Sequence, residues 1–190
     1  MNEKTIYILL TDTGTIFTRL IKVYTKKPYN HASISFDANL EEVYSFGRKV
    51  IWNPFNGGFV KENVKTELFK HATCVIYSLK VTEEQLEKMK DCIQTFITHK
   101  DSFRYNFLGL FGFIMKKPIH RERALFCSQF VATVLESANI VQFDTPTSLI
   151  APDDLRTLPG LKLEFEGKLH DYQQGNNHNC AYVPIAIQHV

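Results

Sequence analysis

The chain is predicted to fold as an α+β protein, and two observations carry that prediction. Segments with strand-like alternation and segments with helical spacing are mixed without the regular β–α alternation of a parallel sheet. A hairpin also comes early: Tyr29 to Phe36 alternates, Asp37-Ala38-Asn39 turns the chain, and Glu42 to Phe46 runs back.

The elements follow in order. Residues 5 to 10 read as a short strand ending at the turn Thr11-Asp12-Thr13-Gly14-Thr15. Ile16, Leu20, Val23 and Tyr24 form a helical stripe, with Arg19, Lys22, Lys26 and Lys27 largely on other faces. After the hairpin, Asn53-Pro54-Phe55-Asn56-Gly57-Gly58 has the composition of a loop. Residues 73 to 80 form another strand. Thr82-Glu83-Glu84-Gln85 is a capping box, opening a helix that carries Leu86, Met89, Ile93, Phe96 and Ile97. The segment 101 to 119 is aromatic and lacks clean periodicity. A second helix, 127 to about 138, carries Phe130, Val131, Val134, Leu135 and Ala138. Pro152-Asp153-Asp154-Leu155 reads as a helical turn with proline first. Strands are expected at Leu161 to Glu166 and Ala181 to Ile187.

With 190 residues, the chain has room for one domain with a substantial core. We expect a single unit over 1–190, with a core of about 5–140 and the segment 141–190 packed on it. The hydrophobic fraction of 44% and charged fraction of 22% are those of a globular protein. A formal charge of +2 gives no drive towards nucleic acid, which is not expected as a partner. The cysteines Cys74, Cys92, Cys127 and Cys180 are far apart, without zinc spacing, and reduced thiols are expected. His178 and Cys180 have no visible further ligand, so neither a metal nor another cofactor is expected. Glu3 interrupts the would-be basic region of a leader, and Ile6 to Leu10 is too short for a signal core. Phe107 to Met115, the longest apolar stretch, is too short to cross a bilayer. A cytoplasmic location is the expectation. The lysines and arginine around 19–27 allow weak contact with an anionic membrane surface, though a solvated helix face is the simpler account.

The residue with most chemical content is Cys127, in Phe126-Cys127-Ser128-Gln129-Phe130. It falls at the start of the second helix, where unpaired N–H groups and the helix dipole favour negative charge. A buried cysteine is also an ordinary small core residue, so a nucleophile needs a base. Of the seven histidines, His31 opens the alternating strand and projects with Ser33 and Ser35, opposite Ala32, Ile34 and Phe36. A rigid strand suits a catalytic base, because small displacements cost rate. The partner orienting its other ring nitrogen should come from the returning hairpin strand: Ser45 is the choice, with Glu42 as the carboxylate alternative.

Tyr29-Asn30-His31-Ala32-Ser33-Ile34 on a strand, followed much later by Phe126-Cys127-Ser128-Gln129-Phe130-Val131 at a helix start, resembles the circularly permuted branch of the NlpC/p60 papain-like superfamily. That branch includes the YiiX-like bacterial proteins and, more distantly, lecithin:retinol acyltransferase. The histidine precedes the cysteine, as the permuted order requires, and the resemblance covers about 10 to 140. It implies an antiparallel sheet packed against the cysteine-bearing helix. It also implies thiol-based acyl transfer, with Cys127 as nucleophile, His31 as general base and then acid, and the Cys127 backbone N–H in the oxyanion site. Many members carry an acidic third residue on the hairpin strand where this chain offers Ser45. The implied substrate is a peptide-like or lipid-like amide or ester, with Tyr105 and Tyr29 as candidate walls of its site. The expected activity is that of a cysteine peptidase or amidase. The alternatives are a non-catalytic binding module and an acyltransferase or lipid-modifying protein on the same fold. The oligomeric state is left open.

Overall fold

The computed structural model describes residues 2–14, 26–48, 57–105 and 124–180. Six strands form one antiparallel sheet: β1 (Glu3–Asp12), β2 (His31–Ser35), β3 (Val43–Arg48), β4 (Gly57–Glu62), β5 (Thr73–Thr82) and β8 (Lys162–Lys168), in spatial order β4-β3-β2-β1-β5-β8. The α+β expectation holds at this level. β1 lies between β2 and β5, with Thr11 opposite both His31 and Cys74. The predicted hairpin is β2–β3, with Ile34 opposite Tyr44 and Ser35 opposite Val43.

Two helices follow the sequence closely. The first, α1 (Glu83–Thr98), has its full capping box: Thr82 Oγ1 accepts from the Gln85 N–H, and the Gln85 side chain accepts from the Thr82 N–H. The second, α2 (Cys127–Ser137), starts at the cysteine. Its buried stripe of Phe130, Val131, Val134 and Leu135 packs with Ile6, Ile8, Leu10, Ala32 and Ile34. Phe46, Phe59, Phe96, Phe103 and Phe130 form an aromatic cluster, the tightest pair being Phe96 and Phe103 with centroids 4.9 Å apart. Phe130 is fully buried, and truncating such a side chain to alanine costs ~3–5 kcal/mol. The opposite face of the sheet is covered by a second cluster that includes Leu9, Val43, Cys74, Ile76, Phe69 and Leu169.

Three expectations change. Gly57 and Gly58, read as the end of a loop, open β4, which pairs with β3 over its whole length. Two glycines are a turn signal by composition, and the register against β3 overrides it. The segment after 140 is not simply laid on a finished core: β8 pairs with β5 as an edge strand of the main sheet. A polar helix not anticipated from the sequence, α3 (Leu169–Cys180), follows β8, anchored by buried Leu169 and by Tyr172, whose hydroxyl donates to the Ala38 carbonyl. The turn at Pro152–Thr157 is a 3-10 helix with proline first, as expected. The aromatic segment contributes a short strand, β6 (Arg104–Tyr105), paired in parallel with β7 (Ala124–Leu125). The proposed helix at 16–24, residues 106–123 and the strand at 181–187 lie outside the described residues. Among the described residues, no helix is long and apolar enough to cross a membrane.

Candidate active site

The site forms where the first residue of β2 meets the first residue of α2. The helix packs on the face of the sheet that carries Ala32 and Ile34, whereas Ser33 and His31 turn to the other face, as the alternation predicts. The Cys127 thiol is close enough to the His31 imidazole to be one of the groups that raise it. Both are well enclosed: Cys127 is 4% exposed, and the His31 side chain keeps 13% of its surface open.

The backbone before His31 is fixed by several contacts. The Asn30 N–H donates to the Thr11 carbonyl at 3.2 Å, and its side-chain amide donates to Asp12 Oδ1 at 3.3 Å. Cys127 Sγ lies 4.0 Å from the Asn30 carbonyl oxygen. On the helix side, Ser128 Oγ donates to the Ile150 carbonyl at 2.7 Å in a buried position. Phe126, at the N-cap, is extended and provides no side-chain cap. The first-turn N–H groups of α2 are therefore free of a capping side chain and suited to developing negative charge.

The third member is a residue the sequence analysis did not select. Glu62, the last residue of β4, places Oε1 2.7 Å from His31 Nε2. The same oxygen accepts from Ser45 Oγ at 2.7 Å, and Oε2 accepts from Ser33 Oγ at 2.6 Å. The carboxylate thus gathers three partners from two neighbouring strands. Burial would raise the Glu62 carboxyl, but the charge of His31 and the hydrogen bonds from His31, Ser33 and Ser45 outweigh it and leave it below its usual value. An ionised carboxylate only accepts, so Nε2 carries the hydrogen and Nδ1 is left for the thiol. Burial would also pull His31 down. The Glu62 charge, together with hydrogen bonds to Cys127 and Glu62, more than reverses this and raises it to about 10.

Ser45 therefore reaches the site in a different role from the one expected. Its hydroxyl donates to Glu62, and the carboxylate, not the serine, holds the imidazole. Glu42 is exposed in the hairpin turn, where its N–H donates to Asp37 Oδ2 at 2.8 Å and its carbonyl accepts from the Phe36 N–H. It takes no part. The loop reading covers only Gly57 and Gly58 of this strand and no element is assigned to the run Phe59-Val60-Lys61-Glu62, although it is able to pair with Val43-Tyr44-Ser45-Phe46.

The two tyrosines proposed as walls have different positions. Tyr29 is buried, and its hydroxyl donates to Glu166 Oε1 of β8 at 2.8 Å, with the Arg156 guanidinium over its ring at 5.8 Å. It ties the segment entering β2 to β8. Tyr105 pairs through its backbone with Leu125, two residues before Cys127; its side chain lies outside the described residues. Lys27, a candidate membrane contact, is paired with Asp153 at 2.6 Å, while Arg19 and Lys22 lie outside the described residues. Cys74, Cys92 and Cys127 are free thiols. Cys74 is fully buried, and burial, assisted by the charge of Glu166, pushes its thiol up to about 12, far from the range of a nucleophile.

Comparison with protein-family models, with curated proteins and with solved structures returned no match.

Proposed function

We propose that this protein is a cysteine–histidine hydrolase that cleaves an amide or ester bond through an acyl-enzyme, on a permuted papain-like fold of the NlpC/p60 type. The observation that carries the reading is His31 bonded to Glu62 at 2.7 Å, with the Cys127 thiol near enough to bear on its charge. The order of histidine strand before cysteine helix and the antiparallel sheet support the architecture. The buried carboxylate on His31 supports the enzyme reading over a non-catalytic module.

Near neutral pH His31 already holds the proton given up by Cys127, and the sulfur, paired with the imidazolium, attacks the substrate carbonyl. The oxyanion of the tetrahedral intermediate is held by the Cys127 backbone N–H at the uncapped start of α2. The bond to the leaving group breaks as that group takes the proton from imidazolium, leaving a thioester on Cys127. His31 then deprotonates water, which attacks the thioester; the acid is released and the thiolate recovers its proton partner. Glu62 keeps Nε2 protonated and compensates the imidazolium in both steps. Peptide-like amides are the first substrate class to test.

The test is labelling of the full chain with a library of activity-based cysteine probes, alongside Cys127→Ala and His31→Ala. Labelling at neutral pH should be lost in Cys127→Ala and slowed at least tenfold in His31→Ala. If Cys127 alkylates at pH 7 no faster than a free thiol and His31→Ala changes nothing, the reading is wrong.

A further inference from the structure

Two serines, on adjacent strands and almost without exposure (Ser33 1%, Ser45 0%), direct their hydroxyls to one carboxylate. A hydroxyl in such a place is costly unless it is bonded, and alanine would fill a strand position at less cost. The useful question is what Glu62 gains from two neutral donors when His31 already supplies a charged one.

We propose that Ser33 and Ser45 are positioning residues that loosen the grip of Glu62 on the His31 proton, so that the imidazolium can surrender it to a leaving group. This rests on Cys127 and His31 acting as the catalytic pair. A carboxylate buried with imidazolium as its sole partner would be left almost bare each time His31 lost its proton. That exposure in a low-dielectric site would lock the proton in place. The two O–H groups supply the solvation that water cannot, and they matter most when His31 is neutral. They therefore lower the cost of deprotonating it.

The geometry distinguishes the two. Ser45 shares Oε1 with His31, whereas Ser33 binds Oε2. Ser45 competes directly with the imidazole and should have the greater effect. The groups in contact with the pair are His31 and Ser33 from β2, Ser45 from β3, Glu62 from β4 and Cys127 from α2.

The experiment is an NMR titration of the His31 ring nitrogens in the full chain, with Ser33→Ala, Ser45→Ala and the matching threonine variants. In the wild type the ring should titrate near pH 10. Each alanine variant should titrate higher, Ser45→Ala by about one pH unit and Ser33→Ala by about half a unit. The threonine variants, which keep the hydroxyl, should titrate as the wild type does. As a chemical check, the ratio of iodoacetate to iodoacetamide rates at Cys127 should stay high to correspondingly higher pH, because the anionic reagent is favoured only while imidazolium is present. A His31 transition that stays put or falls in folded alanine variants overturns the proposal. A larger shift for Ser33→Ala than for Ser45→Ala overturns the assignment of roles to the two oxygens. Failure of the underlying reading is separate: it would appear as a wild-type Cys127 no more reactive than free cysteine, whatever the serine variants do.

Discussion

His31 and Glu62 are thirty-one residues apart in the chain, and their side chains meet at 2.7 Å. One end of the imidazole is thereby fixed on a carboxylate and the other is left to the thiol of Cys127. β4 exists as a strand of this sheet only because it pairs with β3, and its last residue reaches over Ser45 towards β2. The hairpin and its third strand thus act as the mount for His31.

Glu62→Gln is the most direct test of that mount. The amide keeps the shape but cannot compensate an imidazolium, and it can present an N–H to Nε2. Labelling of Cys127 at pH 7 should fall about 100-fold or more, the scale of a lost acid–base function. Glu62→Ala should fall at least as far and also unfold more easily, by ~3–5 kcal/mol in urea titrations, because it strands a buried partner. A Glu62→Gln protein that labels like the wild type would remove Glu62 from the mechanism.

The same pair sets a pH dependence of stability. His31 is raised from 6.5 to about 10, so its contribution is fully present below pH 6.5 and is lost as pH rises through about 10. Glu62 is lowered from 4.5, so its contribution is present above pH 4.5 and is lost as pH falls through its folded-state value. Thermal midpoints should therefore be highest between about pH 4.5 and 6.5 and decline from there to about pH 8, below the ordinary thiol pKa of about 8.5. His31→Gln should flatten that decline. In Cys127→Ala it should persist, since the Glu62 charge is the largest of the effects that raise His31.

Which parts of this were legible in the sequence follows from the range of the signals. The capping box of α1 and the apolar spacing of α2 are local, and both helices begin where the sequence places them. The alternation of β2 also gave the face of His31. Glu62 was not legible, because its strand has two glycines and little alternation, and nothing local tells Gly57-Gly58 that a partner strand lies alongside. β8 was found as a strand, but not as an edge of the same sheet, since pairing with β5 across the intervening chain has no local mark. α3 was missed for a related reason: a polar run with Gly175 has weak helix propensity, and its contacts through Leu169 and Tyr172 are tertiary.

Tyr29→Phe tests whether β8 braces the site. It deletes the donor to Glu166 while leaving the ring in the core. A hydrogen bond to a charged group is worth ~1.5–3 kcal/mol, and the urea midpoint should move down accordingly. Glu166→Gln keeps an acceptor at the same reach, so its loss should be smaller. Equal stability of Tyr29→Phe and the wild type would show that the brace contributes nothing.

Ser128→Ala tests the other anchor, on the helix side of the thiol. The hydroxyl donates to the Ile150 carbonyl at 2.7 Å from a fully buried position, tying the first turn of α2 to the segment between the 3-10 turns Thr147–Leu149 and Pro152–Thr157. Alanine is the better helix former by up to ~0.7 kcal/mol, which favours the variant. Against that stands a buried carbonyl left without its donor, at ~1–3 kcal/mol. The second effect is larger, so the variant should be less stable in urea, with the same dependence on urea concentration. Because Ser128 adjoins Cys127 but faces Ile150, the probe-labelling rate at Cys127 should change by less than about threefold, well below the effect of Glu62→Gln. A rate loss as large as that of Glu62→Gln would instead mean that Ser128 controls the thiol itself.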